Sequence, residues 1–303
     1  MRRSVAKEND QTAMVRNFCM TSGRAALLMA IFLVVASAGR SFSKEPPDSA
    51  PRAGAKPQSI DELLLFFPQK YPAGDWTPKD LHFQDVFFYS DDKTKLHGWY
   101  CPCDKPRGVV LLAHGNKGHV ASRARWLRYL QSKARLSVFI FDYRGYGRSE
   151  GTPTVDGAIA DATAARAKLR ELAAVEDSQM LLMGESLGGA IAVQLAADSA
   201  PRALILQSTF SSLRSVANVH YPKLSWLVPV NKLDSATEIL RYRGPLLQSH
   251  GRLDRTIPFS TGQELFREAN EPKQFVTIEN ADHNNWLTDA YLQRLNDFIG
   301  HLD

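Results

Sequence analysis

The sequence predicts an α/β domain with a mostly parallel, doubly wound sheet of eight strands. Short β-rich runs alternate with helical stretches over residues 60–303. Several of these runs are continuously apolar, which is typical of strands covered by helices on both faces. Between them, Ile159, Ala162, Leu169 and Leu172 recur at the spacing of one helix face. Alternating strands and helices of this kind favour a doubly wound sheet.

The order of the elements adds detail to this prediction. No helix separates the first two predicted strands, so they should form an antiparallel hairpin at the N-terminal edge of the sheet. Helices are predicted at residues 187–197, where the sequence is apolar nearly all round, and at residues 287–299. The strands are predicted at residues 83–89, 96–100, 108–113, 137–141, 179–183, 203–207, 245–249 and 274–278.

Composition and charge exclude several classes of protein. The chain has 303 residues, of which 44% are hydrophobic, too many for a disordered protein. Three cysteines are too few for a disulfide scaffold. Of the net charge of +5, residues 1–38 carry +3, and no stripe of Lys and Arg stands out in the rest. Nucleic-acid binding is therefore not predicted.

Residues 1–38 resemble a signal peptide or an N-terminal anchor. The run from Ala25 to Ala38 has 14 uncharged residues, whereas a membrane span needs about 20. Ala36-Ser37-Ala38 offers the small residues of a cleavage site. This pattern favours export with cleavage, to the periplasm or the medium. An uncleaved anchor, which would associate the protein with a membrane, and a buried core helix are the open alternatives.

The rest of the chain divides into a linker and one domain. Residues 39–58 include four prolines and scattered charges, which predicts a flexible linker. Residues 59–303 should form the α/β domain. Within it, residues 210–243 are longer than a connection needs and contain an apolar cluster around Trp226. We interpret this segment as a small cap insert, and a packed loop covering the sheet is the alternative.

The segment Gly184-Glu185-Ser186-Leu187-Gly188 fits the pattern G-x-S-x-G. It follows a predicted strand and begins a predicted helix, which is the context of a nucleophile elbow. Side chains at Gly184 and Gly188 would collide with the neighbouring strand and helix, so the tight turn needs glycine there. Ser186 is therefore the candidate nucleophile. The alternative is a serine that only caps the helix.

A serine hydroxyl needs a base, and the base needs an acid that orients it. Asp254 and His283 each follow a later predicted strand, in the chain order that this architecture uses. We expect His283 to be the general base and Asp254 its partner. Asp254 as a plain turn residue and His283 as a helix N-terminal residue are the alternatives. Asp234 is the spare acid, whereas Asp282 is too near His283 in sequence.

The negative charge of an acyl-transfer intermediate needs two backbone N–H donors. We expect them at Leu187, directly after the serine, and at Asn116, in the loop that follows the third strand. His114 in the same loop should fix it by hydrogen bonding. The segment 145–151 has Glu150 where a dinucleotide loop would need glycine, so no nicotinamide or flavin site is predicted.

Aromatic residues and cysteines complete the candidate site. Trp286, just after His283, and Trp226, in the cap segment, are the predicted substrate-binding residues. Cys101 and Cys103 are expected to be free thiols, with a strained disulfide as the alternative. No metal site is predicted, because too few further ligands lie near this pair.

Five segments together resemble the α/β-hydrolase superfamily. They are HGN at 114–116, DYRGYGRSEG at 142–151, GESLGG at 184–189, HGRLDRTIP at 250–258 and DHN at 282–284. Within the superfamily the chain is similar to the small-capped, depalmitoylase-like abhydrolases and the α/β-hydrolase peptidases. The resemblance implies the α/β-hydrolase fold, a Ser-His-Asp triad at Ser186, His283 and Asp254, and no cofactor.

The resemblance also implies hydrolysis of an ester, a thioester or an amide. We therefore predict a serine hydrolase that cleaves a small-molecule acyl ester or thioester through an acyl-enzyme. A serine peptidase acting on short peptides is the nearest alternative. A non-catalytic binding protein on the same fold is the alternative from another class.

Overall fold

The computed structural model describes residues 58–302 and has an eight-stranded sheet at its centre. The strands are β1 (Phe67–Pro68), β2 (Gln84–Tyr89), β3 (Lys95–Cys101), β4 (Gly108–Ala113), β5 (Lys117–Gly118), β6 (Leu136–Asp142), β7 (Met180–Glu185), β8 (Ala203–Gln207), β9 (Leu246–Gly251) and β10 (Lys273–Ile278). The order in the large sheet is β10-β9-β8-β7-β4-β6-β3-β2. All eight predicted strands are present, with ends shifted by at most a residue or two.

The antiparallel N-terminal edge is confirmed. β3 pairs antiparallel with both β2 and β6, and every other pair in the large sheet is parallel. The strand that runs against the others is therefore β3. The continuously apolar strands β4, β6, β7 and β8 lie in the middle of the sheet, where helices cover both faces.

Eight α-helices accompany the sheet within the described residues. They are α1 (Ile60–Leu65), α2 (Ala124–Ser132), α3 (Val155–Ala173), α4 (Leu187–Asp198), α5 (Leu213–His220), α6 (Ser235–Glu238), α7 (Phe259–Glu268) and α8 (Asp289–Gly300). Side chains of α3, α4 and α7 join one hydrophobic core, on one face of the sheet. Side chains of α2 and α8 join a second core on the other face. This is the doubly wound arrangement that the sequence predicts.

Helix α4 is the most deeply buried of these helices, as its apolar sequence predicts. Its residues from Leu187 to Val193 are all buried. The last helix, in contrast, begins two residues later than predicted, at Asp289. Thr288 caps it, because its side-chain oxygen accepts a hydrogen bond from the N–H of Tyr291 at 3.3 Å. Leu287 therefore precedes the helix.

The segment 210–243 contains both buried and exposed apolar side chains. It holds α5, α6 and two short 3₁₀ turns, and no strand. Leu213, Val228 and Leu233 are buried in the core of the sheet face. Other apolar side chains of the segment, Trp226 among them, point to solvent. The segment is thus anchored at several points along its length, with exposed apolar side chains on either side of Val228. Its role as a cap stays a prediction.

A separate two-stranded sheet joins the start of the described chain to the loop after β4. β1 pairs with β5 in parallel, with Phe67 opposite Lys117. The predicted leader at residues 1–38, and the predicted linker up to residue 57, lie outside the described residues. Across residues 58–302 we find no helix with the length and apolar character of a membrane span.

Candidate active site

Ser186 occupies the turn between β7 and α4 with a backbone rarely adopted by serine. Its φ is 54° and its ψ is −117°. A Cβ atom on Gly184 would collide with the carbonyl of Gly188, and one on Gly188 would collide with the carbonyl of Ala113 in β4. The turn is therefore so tight that only glycine fits at both positions. The strained conformation places the serine at the N-terminal end of α4.

The structure brings the three predicted residues together. His283 Nε2 lies 3.1 Å from Ser186 Oγ, and His283 Nδ1 lies 2.7 Å from Asp254 Oδ2. Ser186 ends β7, Asp254 follows β9, and His283 follows β10. Because these strands are parallel, their carboxyl ends meet at one edge of the sheet, which is where ligands bind in open α/β sheets. A base within hydrogen-bond reach of a serine, and itself bonded to a carboxylate, can remove the serine proton.

Asp254 also holds its own loop, so its two predicted roles coexist. Its Oδ1 accepts hydrogen bonds from the N–H groups of Thr256 at 2.9 Å and Ile257 at 2.8 Å, which leaves Oδ2 for His283. Burial raises the pKa of the Asp254 carboxyl, but hydrogen bonds from His250, His283 and Ile257 outweigh it. The pKa of Asp254 therefore lies well below its usual value, and the group is charged at neutral pH.

The other two acids have local structural tasks. Asp234 caps α6, since its side chain accepts hydrogen bonds from the N–H and the hydroxyl of Thr237. Asp282 Oδ1 accepts from the N–H groups of Asn284 at 2.8 Å and Asn285 at 3.2 Å, which fixes the turn that carries His283. Neither carboxylate is bonded to the His283 ring.

The loop after β4 contains Asn116, one of the two predicted N–H donors, and several hydrogen bonds hold this residue in place. The Asn116 carbonyl accepts hydrogen bonds from the Phe67 N–H at 3.0 Å and the Tyr146 hydroxyl at 2.7 Å. The Asn116 side-chain amide donates to the Leu65 carbonyl at 2.8 Å. Leu187 is the first residue of α4, where a backbone N–H has no acceptor within the helix. Asn116 and Ser186 line the same cleft, and the roles of the Asn116 and Leu187 N–H groups as donors to the substrate stay a prediction.

His114 contacts this loop at Gly115 and lies next to the buried carboxylate of Asp142. Its Nδ1 lies 2.7 Å from the Gly115 carbonyl oxygen, and its Nε2 lies 3.6 Å from Asp142 Oδ1. Asp142 is fully buried and also accepts from the Val120 N–H at 2.8 Å. Burial raises the pKa of Asp142, but the neighbouring rings of His114 and His97 and the N–H of Val120 outweigh this and lower it. The buried negative charge therefore holds the loop of Asn116.

A cleft of about 430 Å³ opens beside Ser186 and His283. Trp286 lines it, packed edge-on against Trp126 with ring centroids 5.4 Å apart, as expected for a pocket wall. The prediction for Trp226 is wrong for this cleft. The Trp226 side chain is 69% exposed and does not line the cleft, because its segment turns it toward solvent.

The walls of the cleft carry charges that the sequence patterns missed. Glu185 pairs with Arg123 through two contacts, at 3.1 and 3.2 Å. Lys117 and Arg125 also line the cleft, are exposed, and have no ion pair with a carboxylate within residues 58–302. Glu185 is the one acidic residue among the described lining residues. The cleft is therefore cationic, and its single carboxylate is already neutralised.

His250 is a further residue whose role the sequence patterns missed. It is fully buried, and its Nε2 lies 3.4 Å from Asp254 Oδ2 and 2.9 Å from the Ile257 carbonyl oxygen. The ring thus braces the loop that carries Asp254. The available signal was its position at the start of the segment His-Gly-Arg-Leu-Asp, four residues before Asp254.

The cysteine pair lies away from this chemistry. Cys101 and Cys103 are free thiols, as expected, with Cys101 buried at the end of β3. Burial raises the pKa of the Cys101 thiol to about 12, so this group is an unreactive thiol at neutral pH. Among residues 58–302 no three His, Cys, Asp or Glu side chains are grouped as metal ligands.

Asp254→Asn should remove a pH-dependent part of the free energy of unfolding. A carboxyl whose pKa is lower in the folded than in the unfolded chain stabilises the fold above the unfolded value of about 3.9. That contribution is lost as the pH falls below this value. In urea unfolding, the difference between wild type and Asp254→Asn should therefore be largest at neutral pH and shrink steadily as the pH falls from about 3.9 toward the lower folded-state pKa of Asp254.

The matched control for this measurement is Asp234→Asn. Asparagine caps a helix as well as aspartate does, so this variant should follow the wild type across the whole pH range. A difference between wild type and Asp254→Asn that stays constant with pH would contradict the assignment of a low pKa to Asp254.

Comparison with known proteins places this fold and site in a family. A family model described as serine aminopeptidase, S33, matches residues 104–240. An uncharacterized protein of Mycobacterium tuberculosis (strain H37Rv) is 36% identical over 75% of this chain and 82% of its own length. The α/β hydrolase domain-containing protein 17B of Xenopus laevis is 30% identical over 65% of this chain and 68% of its own length.

Solved structures agree on the fold. An esterase of Pyrococcus furiosus superimposes with a TM-score of 0.63 at 20% identity, over 78% of this chain and 97% of that one. The structure described above has the mostly parallel sheet, the antiparallel edge and the flanking helices of that fold. The sequence relatives and the architecture therefore agree on the family. The chain belongs to the α/β-hydrolase family.

Proposed function

We propose that this protein is a serine hydrolase that cleaves a small-molecule acyl ester or thioester. The observation that carries the proposal is the continuous chain of contacts from Ser186 Oγ to His283, at 3.1 Å, and from His283 to Asp254, at 2.7 Å. Membership of a hydrolase family and the similarity of the fold to an esterase support it. No cofactor is needed for this chemistry, because the side chains supply nucleophile, base and acid.

In the first half-reaction Ser186 Oγ attacks the acyl carbonyl carbon while its proton passes to His283 Nε2. The carbonyl oxygen becomes negative and accepts hydrogen bonds from the N–H groups of Leu187 and Asn116. The tetrahedral intermediate then collapses, the bond to the alcohol or thiol breaks, and His283 donates its proton to that leaving group. The acyl group remains on Ser186 as an ester.

In the second half-reaction a water molecule takes the place of the leaving group. His283 removes its proton, the hydroxide attacks the acyl carbon, and the intermediate collapses to release the acid. The proton returns from His283 to Ser186 Oγ. Asp254 stays ionised throughout, holds the imidazole in one orientation and stabilises its charged form, in keeping with its low pKa.

A peptidase is the second candidate, favoured by the name of the matching family model. An aminopeptidase must bind the positively charged α-amino group of its substrate, which calls for a free carboxylate near the nucleophile. Glu185 is paired with Arg123, and Lys117 and Arg125 add positive charge to the same cleft. This charge repels an ammonium group, so the cleft favours acyl groups that are neutral or negative.

Ser186→Ala should abolish hydrolysis of an activated ester, with a loss of about 10⁴-fold or more in kcat, because the acyl group then has no nucleophile. A fluorophosphonate probe should label the wild type and not the variant. The matched control is Ser132→Ala, an exposed serine at the end of α2, which should retain wild-type turnover and labelling. Near wild-type turnover of Ser186→Ala would refute the proposal, and a protein without turnover or labelling would favour the non-catalytic binding protein.

A pair of substrates separates the esterase from the aminopeptidase. Two aminoacyl esters with the same leaving group should be compared, one with a free α-amino group and one with that group acetylated. We expect a higher kcat/KM for the acetylated ester, because it carries no positive charge into the cationic cleft. A clear preference for the free amine would instead support the aminopeptidase.

We further propose that the chain is exported, on the evidence of its sequence. Residues 25–38 and the small residues at their end have the character of a signal peptide. Mass spectrometry of the protein from its own host should find a mature N-terminus near Gly39. A chain that still begins at its initiator and fractionates with membranes would overturn cleavage and favour the anchor.

A further inference from the structure

Large apolar side chains are exposed on two segments of the domain. Leu63, Leu64 and Phe67 belong to α1 and β1, and their exposed fractions are 50–58%. The second group lies in the segment after α5, with exposed fractions of 49–69%, and consists of Leu224, Trp226, Leu227 and Val230. We call these seven side chains the apolar rim. Exposed apolar surface of this extent marks an interaction site more often than chance.

The two segments of the apolar rim are held side by side. Lys232, two residues after the second group, contacts Ser59 Oγ at 3.0 Å and Glu62 Oε1 at 3.3 Å in the first turn of α1. Glu62 in turn accepts a hydrogen bond from the Val155 N–H at 2.9 Å. The polar bridge therefore fixes the position of α1 against the segment after α5.

The segments that carry the apolar rim contact two loops of the candidate active site, although none of the seven rim side chains lines the cleft. On one side Phe67 donates its N–H to the Asn116 carbonyl, at 3.0 Å. On the other side His220, at the end of α5, contacts the Thr256 carbonyl at 2.8 Å, two residues after Asp254. A surface that covers the rim would therefore lie next to the loops that carry Asn116 and Asp254.

The basic residues of the second rim segment indicate which kind of surface the rim would bind. Residues 213–233 contain Arg214, Lys223 and Lys232 and no Asp or Glu. The Trp226 indole N–H is bonded within its own segment, to the Lys223 carbonyl at 3.1 Å, and its ring faces outward. Exposed Trp and Leu side chains beside Lys223, in a segment without acids, are the pattern of segments that lie in the interface of an anionic membrane; the acidic residue Glu62 of α1 is paired with Lys232.

The chain outside the described residues points the same way. It ends at residue 57, two residues before the Ser59 that Lys232 contacts. It also carries the run of 14 uncharged, mostly apolar residues from Ala25 to Ala38. As an uncleaved anchor, this run would tether the domain to a bilayer through the linker that joins the domain just before α1.

We propose that the apolar rim docks onto an anionic lipid surface and that the enzyme takes acyl esters from it. Docking would bury the rim side chains in the interface while Lys223 meets the negative headgroups. An acyl ester in the outer layer of lipid would then reach the cleft without first dissolving in water. The nature of the substrate rests on the proposed function, whereas docking itself does not.

Tryptophan fluorescence tests docking without any catalytic readout. Trp99, Trp126 and Trp286 are buried, Trp76 is half-buried, and residues 1–57 contain no tryptophan. Trp226 should therefore dominate any quenching by bromine atoms on the lipid chains. The full chain is mixed with phosphatidylcholine–phosphatidylglycerol vesicles, with and without brominated chains, and Trp226→Phe is the matched variant.

Each outcome of this experiment decides the proposal. Quenching in the wild type that is lost in Trp226→Phe, and that weakens with added salt, supports docking on an anionic surface. A chain that sediments with the vesicles while Trp226 stays unquenched overturns it, since only the N-terminal segment is then bound. A Trp226 emission already shifted to the blue without vesicles also overturns it. If that shift depends on protein concentration, a second copy of the chain covers Trp226. If it does not, the chain's own N-terminal segment covers it.

A second experiment tests delivery of substrate. The double variant Leu224→Ser/Leu227→Ser should keep wild-type turnover of a short, water-soluble ester. Its rate on a long-chain ester embedded in anionic vesicles should fall about tenfold or more, because two apolar side chains no longer enter the interface. Leu240→Ser is the matched control, because Leu240 is 47% exposed yet lies outside the apolar rim.

The two arms separate the proposals. Equal rates of the double variant and Leu240→Ser on the embedded ester would overturn delivery through the apolar rim, while hydrolysis of the soluble ester would leave the serine hydrolase intact. If only Ser186→Ala lost hydrolysis of the soluble and the embedded ester, delivery through the apolar rim would likewise be overturned and the serine hydrolase would stand. Trp226 quenching in a protein without esterase activity would instead refute the proposed function and keep the docking.

Discussion

The left-handed backbone of Ser186 is the constraint on which the rest of the site depends. A serine in this conformation costs about 1–3 kcal/mol, so the surrounding structure must hold it there. Gly184 and Gly188 let β7, α4 and β4 approach closely, and any side chain at either position would collide with backbone. The burial of α4 on nearly every side then fixes the helix against the sheet and keeps the turn in place.

Around that turn, each neighbouring loop is held by its own contacts rather than by Ser186. Asp254 uses one oxygen for its own loop and offers the other to His283. Asp282 fixes the turn of His283, and the Tyr146 hydroxyl holds the carbonyl of Asn116. A site built in this way is organised without a ligand, so the proposed reaction would need little reorganisation as charge develops on a substrate oxygen.

Much of this could be predicted from sequence, because the relevant signals are local. Continuous apolar runs identified the strands, and the motif around Ser186 carried its own steric reason. The Glu185–Arg123 pair was missed because its partners lie 62 positions apart and no local pattern joins them. Trp226 was misplaced for a different reason: an apolar residue in an irregular segment can face the core or the solvent, and without periodicity the sequence does not decide. Thr288 shows how one capping side chain moves a helix start that hydrophobic spacing had set.

The central claim is that Ser186 carries the acyl group between the two half-reactions. The most direct measurement is peptide mapping by mass spectrometry after a reaction with an activated ester is stopped with acid. We expect one acyl group on the peptide that contains Ser186, formed as fast as the initial burst of released alcohol. Turnover of the ester with no acylated peptide, or with the acyl group on another residue such as Cys103, would contradict this account.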